Sequence, residues 1–136
     1  MDQMENARLA ALGPQARALR EVAQAREFLN HGLLLEAERL LLKAMAGNPR
    51  QPEAHAALAE VRERAGDAAA ARQEATTSLE LLPSVDAYMV LARLDVARTS
   101  WDLASREVNA ALQIDGQNQA ARDLKQQIEA GKAAIR

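Results

Sequence analysis

Two histidines, no cysteine and many scattered carboxylates are the groups in this chain that could do chemistry. A metal site needs several ligands converging, and neither His31 nor His55 is accompanied by a cysteine or a repeated carboxylate spacing. His31 falls where a helix should end, a place where the helix dipole favours an imidazole. His55 falls on a helix face. The Asp and Glu residues alternate with Arg and Lys along helical stretches, as on a solvated surface, rather than forming an isolated acid and base. No phosphate loop, nucleophile motif or dinucleotide fingerprint occurs. Without cysteine there is neither a disulfide framework nor thiolate chemistry. The expectation is a non-catalytic chain with no metal and no cofactor.

Binding is the chemistry that remains. The formal net charge is −2, and basic residues are interleaved with acidic ones, so no positive stripe for phosphates emerges and nucleic acid is not an expected partner. Trp101, the only tryptophan, is of a type favoured as an interface anchor, but at the start of a helix it could equally pack under the adjacent turn.

The elements that must carry these residues are helical. The chain has 136 residues, enough for one domain with a useful core; 49% of it is hydrophobic and only 2% aromatic, so that core must be Leu and Ala. No alternating run reaches strand length. Eight helical segments are expected, at 2–12, 15–30, 34–46, 52–65, 67–82, 85–98, 100–114 and 117–135. Asp67 is a natural N-cap after a stop glycine, and Thr99 or Ser100 should cap the seventh segment. In the last segment Ala121, Leu124, Ile128 and Ile135 form one apolar stripe, as a terminal capping helix requires.

A repeat runs through these segments. Ala25, Ala37 and Ala44 are matched by Ala59, Ala71 and Ser78, and again by Ala92, Ala104 and Ala111, with the same internal spacing in all three sets. The offset from the second set to the third is shorter by a single position than the offset from the first to the second. Small side chains let paired helices approach closely and let the next pair stack. Gly32 and Gly66 stand where the first helix of a pair must stop, and Pro49 and Pro83 where the second must end. In the third copy Thr99 and Gly116 take those places. The residue missing between the second and third copies belongs to the turn at Pro83 and Ser84, and the shorter turn should tilt the third pair without breaking the stack.

These positions closely resemble the tetratricopeptide repeat family, which places small residues at its eighth, twentieth and twenty-seventh positions, a turn glycine between its helices and a closing proline. The Ala-Leu-Gln-Ile-Asp run at 111–115 resembles the family's usual end to a second helix. The copies run at 18–51, 52–84 and 85–118, preceded by a helical extension at 1–17 and followed by a capping helix at 119–136. The resemblance implies an all-α fold, a right-handed α-solenoid of antiparallel helix pairs, whose first helices line a concave groove.

Carried over position by position, the implied groove residues are Leu19, Val22, Arg26, Leu29 and Asn30 from the first copy. The second adds Glu53, Ala56, Glu60, Glu63 and Arg64; the third adds Asp86, Met89, Arg93, Val96 and Ala97. Such a mixed floor suits a peptide or helix with an apolar anchor and a few charges. Family members that hold chaperone C-terminal tails use a lysine- and asparagine-rich clamp. The matching positions here are Val22, Arg26, Ala57, Asp86 and Val90, so that ligand is not expected.

Departures from the family pattern also set expectations. The eleventh position, usually large and apolar, is Phe28, then Arg62, then Asp95. A charge between stacked helices is costly unless paired, so Arg62 and Asp95 should face each other or reach the groove edge, unless both snorkel to solvent. Glu21 and Gln24 replace apolar residues, as fits a terminal repeat with a bare outer side.

The leading reading is an adaptor whose groove holds a segment of another protein. Reversing Arg26 and Arg93 is then expected to abolish capture without altering helicity. The alternative is a structural module that self-associates, or docks in a larger assembly, through its ends or convex back. The start lacks a signal-peptide pattern and no apolar run would span a bilayer, so the chain as written reads as cytoplasmic, an inference that fails if it is part of a longer protein. Its Ala, Arg and Glu usage suggests a bacterial source of high GC content.

Overall fold

The computed structural model describes residues 13–135, so the helix expected at 2–12 lies outside the described residues. Seven helices follow in order: α1 Pro14–Asn30, α2 Leu34–Gly47, α3 Pro52–Arg64, α4 Ala68–Leu81, α5 Val85–Ala97, α6 Trp101–Ile114 and α7 Gln119–Ala134. The other seven expected segments match these closely at both ends. Each of the first six helices packs most closely on its pair partner (α1 on α2, α3 on α4, α5 on α6), and consecutive pairs then stack. The first helices α1, α3 and α5 also touch in series, and α5 touches α7. That contact order defines an α-solenoid in which the first helices share one side.

Helix starts and stops follow from local chemistry. Pro14 and Pro52 open their helices, where the missing N–H costs nothing. Asp67 accepts from the Ala70 N–H at 3.1 Å, and Ser84 and Asn118 cap α5 and α7 in the same way. Ser100 occupies the N-cap of α6 without a side-chain cap bond.

All three within-pair turns use one device. Leu33 N–H bonds the Phe28 carbonyl and Gly32 N–H the Leu29 carbonyl. Asp67 and Gly66 repeat this on Arg62 and Glu63, and Ser100 and Thr99 on Asp95 and Val96. This Schellman pairing requires a left-handed residue, supplied by Gly32 (φ 75°), Gly66 (φ 84°) and, against its steric preference, Thr99 (φ 55°).

The nine small repeat residues are each 0% exposed, which confirms their role as contact points between helices. Ser78, the polar member, donates its hydroxyl to the Pro52 carbonyl at 2.8 Å and so buries no unpaired group. Around the small residues, Leu29, Leu41, Leu58 and Val61 fill the first pair's core and its joint with α3. Ala59 of α3, Ala71 and Ala75 of α4 and Val90, Leu91 and Leu94 of α5 carry the core past the shortened turn between α4 and α5. At the far end Ala121, Leu124 and Ile128 of α7 seat on Val108 and Ala111. Ile135, expected in that stripe, is 73% exposed, because α7 ends at Ala134.

Two expectations about charged core positions are corrected. Arg62 and Asp95 do not face each other: Arg62 Nη1 meets Glu38 Oε2 of α2 at 2.7 Å, and Asp95 Oδ1 accepts from Arg72 of α4 at 2.6 Å. The eleventh position points back at the second helix of the preceding pair, so each charge is answered there. Glu38 and Arg72 themselves occupy equivalent places in successive repeats, and the pair is reversed in sign from one joint to the next. Glu21 is likewise buried, with Lys43 at 3.6 Å, and Gln24 is half-buried, so these positions are not a bare outer face.

Candidate functional site: the face of the first helices

Helices α1, α3 and α5 bring the arginines of the expected groove together, and each arginine is tied across to a neighbouring first helix. Arg26 of α1 meets Glu60 of α3 at 2.6 Å and Asp86 of α5 at 3.1 Å, spanning all three helices. Arg93 of α5 grips Glu63 of α3 with two bonds of 2.7 Å, from Nε and Nη2. Arg64 of α3 donates to the Leu29 carbonyl in the last turn of α1, which also accepts from the Gly32 N–H. Hydrogen bonding to Glu63 outweighs burial at Arg93 and holds its guanidinium more firmly protonated than usual.

The floor is therefore zwitterionic and already paired, which changes the expected consequence of charge reversal. Arg26→Glu or Arg93→Glu would set like charges against Glu60, Asp86 or Glu63, so a loss of capture would not by itself place a ligand in the groove.

Expected groove residues separate into two groups. Val22, Leu29 and Met89, with Ala56, are buried and supply packing between helices. Leu19, Asn30, Glu53, Arg64, Asp86 and Ala97 are exposed, and Arg26, Glu60, Glu63, Arg93 and Val96 are intermediate. A cavity of about 480 Å³ opens among Glu60, Glu63, Arg64 and Arg93. A smaller one of about 80 Å³ lies at the start of α3 and α5, between Arg26, Ala56, Leu82 and Asp86. A third, of about 550 Å³, is not on this face: Pro83 and Tyr88 line it with Arg106, Asn109, Gln113 and Ile114 of α6.

The histidines have other occupations. His31 ends α1 and is exposed. His55 is buried, with Nδ1 2.7 Å from Glu74 Oε2 and Nε2 2.8 Å from the Pro49 carbonyl, tying α3 to α4 and to the preceding turn. Among the described residues no group of three His, Asp or Glu side chains could hold a metal ion. Among those residues, too, no helix is long and apolar enough to cross a membrane.

Trp101 packs against the capping helix. A Cβ placed on Gly131 of α7 would lie only 2.4–2.7 Å from the indole ring, so this glycine makes room for the tryptophan. Sequence reasoning missed that pairing; the signal was a glycine inside a helix that otherwise continues through it.

No protein-family profile matches the chain, and no curated protein matches it either. Solved structures do. The first tetratricopeptide domain of Spaghetti (RPAP3), bound to the HSP90 peptide SRMEEVD, is 20% identical with a TM-score of 0.78, over 88% of this chain and 98% of that one. The first such domain of human RPAP3, solved by NMR, gives the same identity and TM-score over 90% and 96% of the two chains. The chain has the tetratricopeptide repeat fold, an all-α solenoid of three helix pairs closed by a capping helix.

Proposed function

We propose that this chain is a non-catalytic protein-interaction module that holds a peptide or helical segment of another protein against α1, α3 and α5. The observation that carries the reading is the cavity between Arg64, Arg93 and the two glutamates, held open by ion pairs that fix the three helices before any ligand arrives. Pre-organisation of this kind lowers the ordering cost of binding. A similar domain holds a peptide in one of the structures compared.

The ligand differs in kind from an acidic chaperone tail. Of the five clamp positions, Val22, Ala57 and Val90 are buried, Arg26 is committed to Glu60 and Asp86, and Asp86 itself is acidic.

A second reading keeps its place because of where exposed apolar side chains lie. Leu35 and Leu42 of α2 and Leu103 and Ile114 of α6 are 45–56% exposed, whereas among the described residues the groove offers Leu19 and, in the lining of its smaller cavity, Leu82 as large aliphatic residues of that exposure. Docking or self-association through the second helices would cover them.

Affinity capture with three proteins separates the two readings: wild type, Leu19→Glu/Ala97→Arg on the first helices, and Leu35→Glu/Leu103→Glu on the second. All four positions are exposed, so circular dichroism should show equal folding. Groove binding predicts partners lost only in the first variant; loss only in the second would transfer the function to the outer helices.

A further inference from the structure

The third helix pair repeats the second with one exchange. Glu107 stands one repeat after Glu74, and Tyr88 stands at the same offset after His55. In the second pair the imidazole satisfies the carboxylate, His55 to Glu74 at 2.7 Å. In the third pair the imidazole is gone, and Glu107 is set instead against Asp95, a fully buried aspartate on α5.

Asp95 spends Oδ1 on Arg72 of α4. Its Oδ2 and the Oε2 of Glu107 are both buried, and neither meets a donor while both groups are ionised. A single guanidinium, that of Arg72, thus serves a pair of carboxylates drawn from α5 and α6, and its hydrogen bond reaches Asp95. Burying the second negative charge unpaired would cost far more than retaining a proton.

We propose that Asp95 and Glu107 share a single proton, forming a latch that binds α4, α5 and α6 together and opens as that proton is lost. Glu107 donates the proton to Asp95, and Asp95 remains the carboxylate that Arg72 holds. The charged groups facing the pair are Arg72 from α4 and Arg98 from the turn after α5; Tyr88 supplies no charge at the place of the second pair's histidine.

The proton balance supports this assignment. Burial first, then the hydrogen bond with Asp95 and its negative charge, push Glu107 up to about 8. Burial also pushes Asp95 upward, but the hydrogen bonds from Glu107 and Arg72 outweigh it and hold Asp95 below the ordinary carboxylate range. Two neighbouring carboxyls with their affinities driven apart are the expected result of one shared proton.

The sign for stability follows. From the ordinary Glu range up to about pH 8 the folded chain holds a proton that the unfolded chain has released, so the latch's contribution declines with rising pH and is gone above about 8. Asp95 acts oppositely: its contribution is present above the ordinary Asp range and is lost as pH falls below it. Because α5 also carries Asp86 and Arg93, opening the latch would loosen one wall of the groove.

The test is denaturant unfolding of the full chain from pH 5 to 9, for wild type and Glu107→Gln, with the Glu107 carboxyl carbon followed by NMR. Glutamine keeps a donor and cannot ionise. Relative to it, the wild-type unfolding constant should rise by up to about tenfold per pH unit until Glu107 has titrated. The carbon signal should titrate well above the ordinary Glu range. Parallel stability profiles, or a Glu107 signal titrating near 4.5, would overturn the proposal. The wild-type NMR titration decides the matter even if the variant folds poorly.

Discussion

Gly131→Ala provides a sharp check on how the capping helix is seated. Inside a helix, Gly→Ala ordinarily stabilises by about 1 kcal/mol. Here the new Cβ would lie 2.4, 2.6 and 2.7 Å from three ring atoms of Trp101, inside any allowed contact. Either the indole swings away or α7 lifts, and overpacking of this kind costs about 1–3 kcal/mol. The two terms oppose each other, leaving a net loss of about 0–2 kcal/mol. Trp101→Ala removes the obstacle, so in that background the same substitution should regain its ordinary stabilisation of about 1 kcal/mol. A double-mutant cycle by urea denaturation and circular dichroism should therefore give a coupling of about 1–3 kcal/mol, with shifted tryptophan emission in Gly131→Ala alone. If Gly131→Ala stabilises by its full helical amount with Trp101 present, and emission is unchanged, the account of the cap is wrong.

Three further predictions concern the turns and ion pairs. Thr99→Gly relieves a left-handed residue at a cost of roughly 1–2 kcal/mol, less glycine's entropic cost of roughly 0.5–1, a net gain of about 0–1.5 kcal/mol, so the thermal midpoint should rise by up to about 6 °C and should not fall. Glu38→Arg and Arg62→Glu should each destabilise by about 1 kcal/mol, while the double variant, which copies the sign of the Arg72–Asp95 joint, should return to within about 0.5 kcal/mol of wild type in urea melts. Arg93→Glu should lower stability by about 1–2 kcal/mol in the same assay, because it turns a two-bond tie to Glu63 into a repulsion; an unchanged midpoint would mean that the tie contributes nothing.

The sequence carried the scaffold more fully than the site. Ala25, Ala37, Ala44 and their six equivalents could be found because contact between helices leaves no choice but a small side chain, and that constraint survives as spacing. Thr99 was legible as a turn only through register, since nothing in a threonine announces a left-handed conformation. The partners of Arg26 were not legible: joining Glu60 to Asp86 across three helices depends on the rotation between successive pairs, which residue types do not encode. Arg62 and Asp95 were misplaced because their counterions lie on the second helices. A signal for that existed in the opposite charges of Glu38 and Arg72 at equivalent positions. Glu107 was passed over as one more surface carboxylate. Only the exchange of His55 for Tyr88, seen beside the matching places of Glu74 and Glu107 within this chain, distinguishes it.

The central claim is that the first helices hold the partner. Its most direct test places a photo-crosslinking residue singly at Leu19 and Ala97 on that face, and at Leu35 and Leu103 on the outer helices, in cells of the source organism. All four positions are exposed and carry no ion pair. The account predicts adducts to one other protein from Leu19 and Ala97 and none from the outer pair. Adducts confined to Leu35 and Leu103, whether to another protein or to a second copy of this chain, would contradict it.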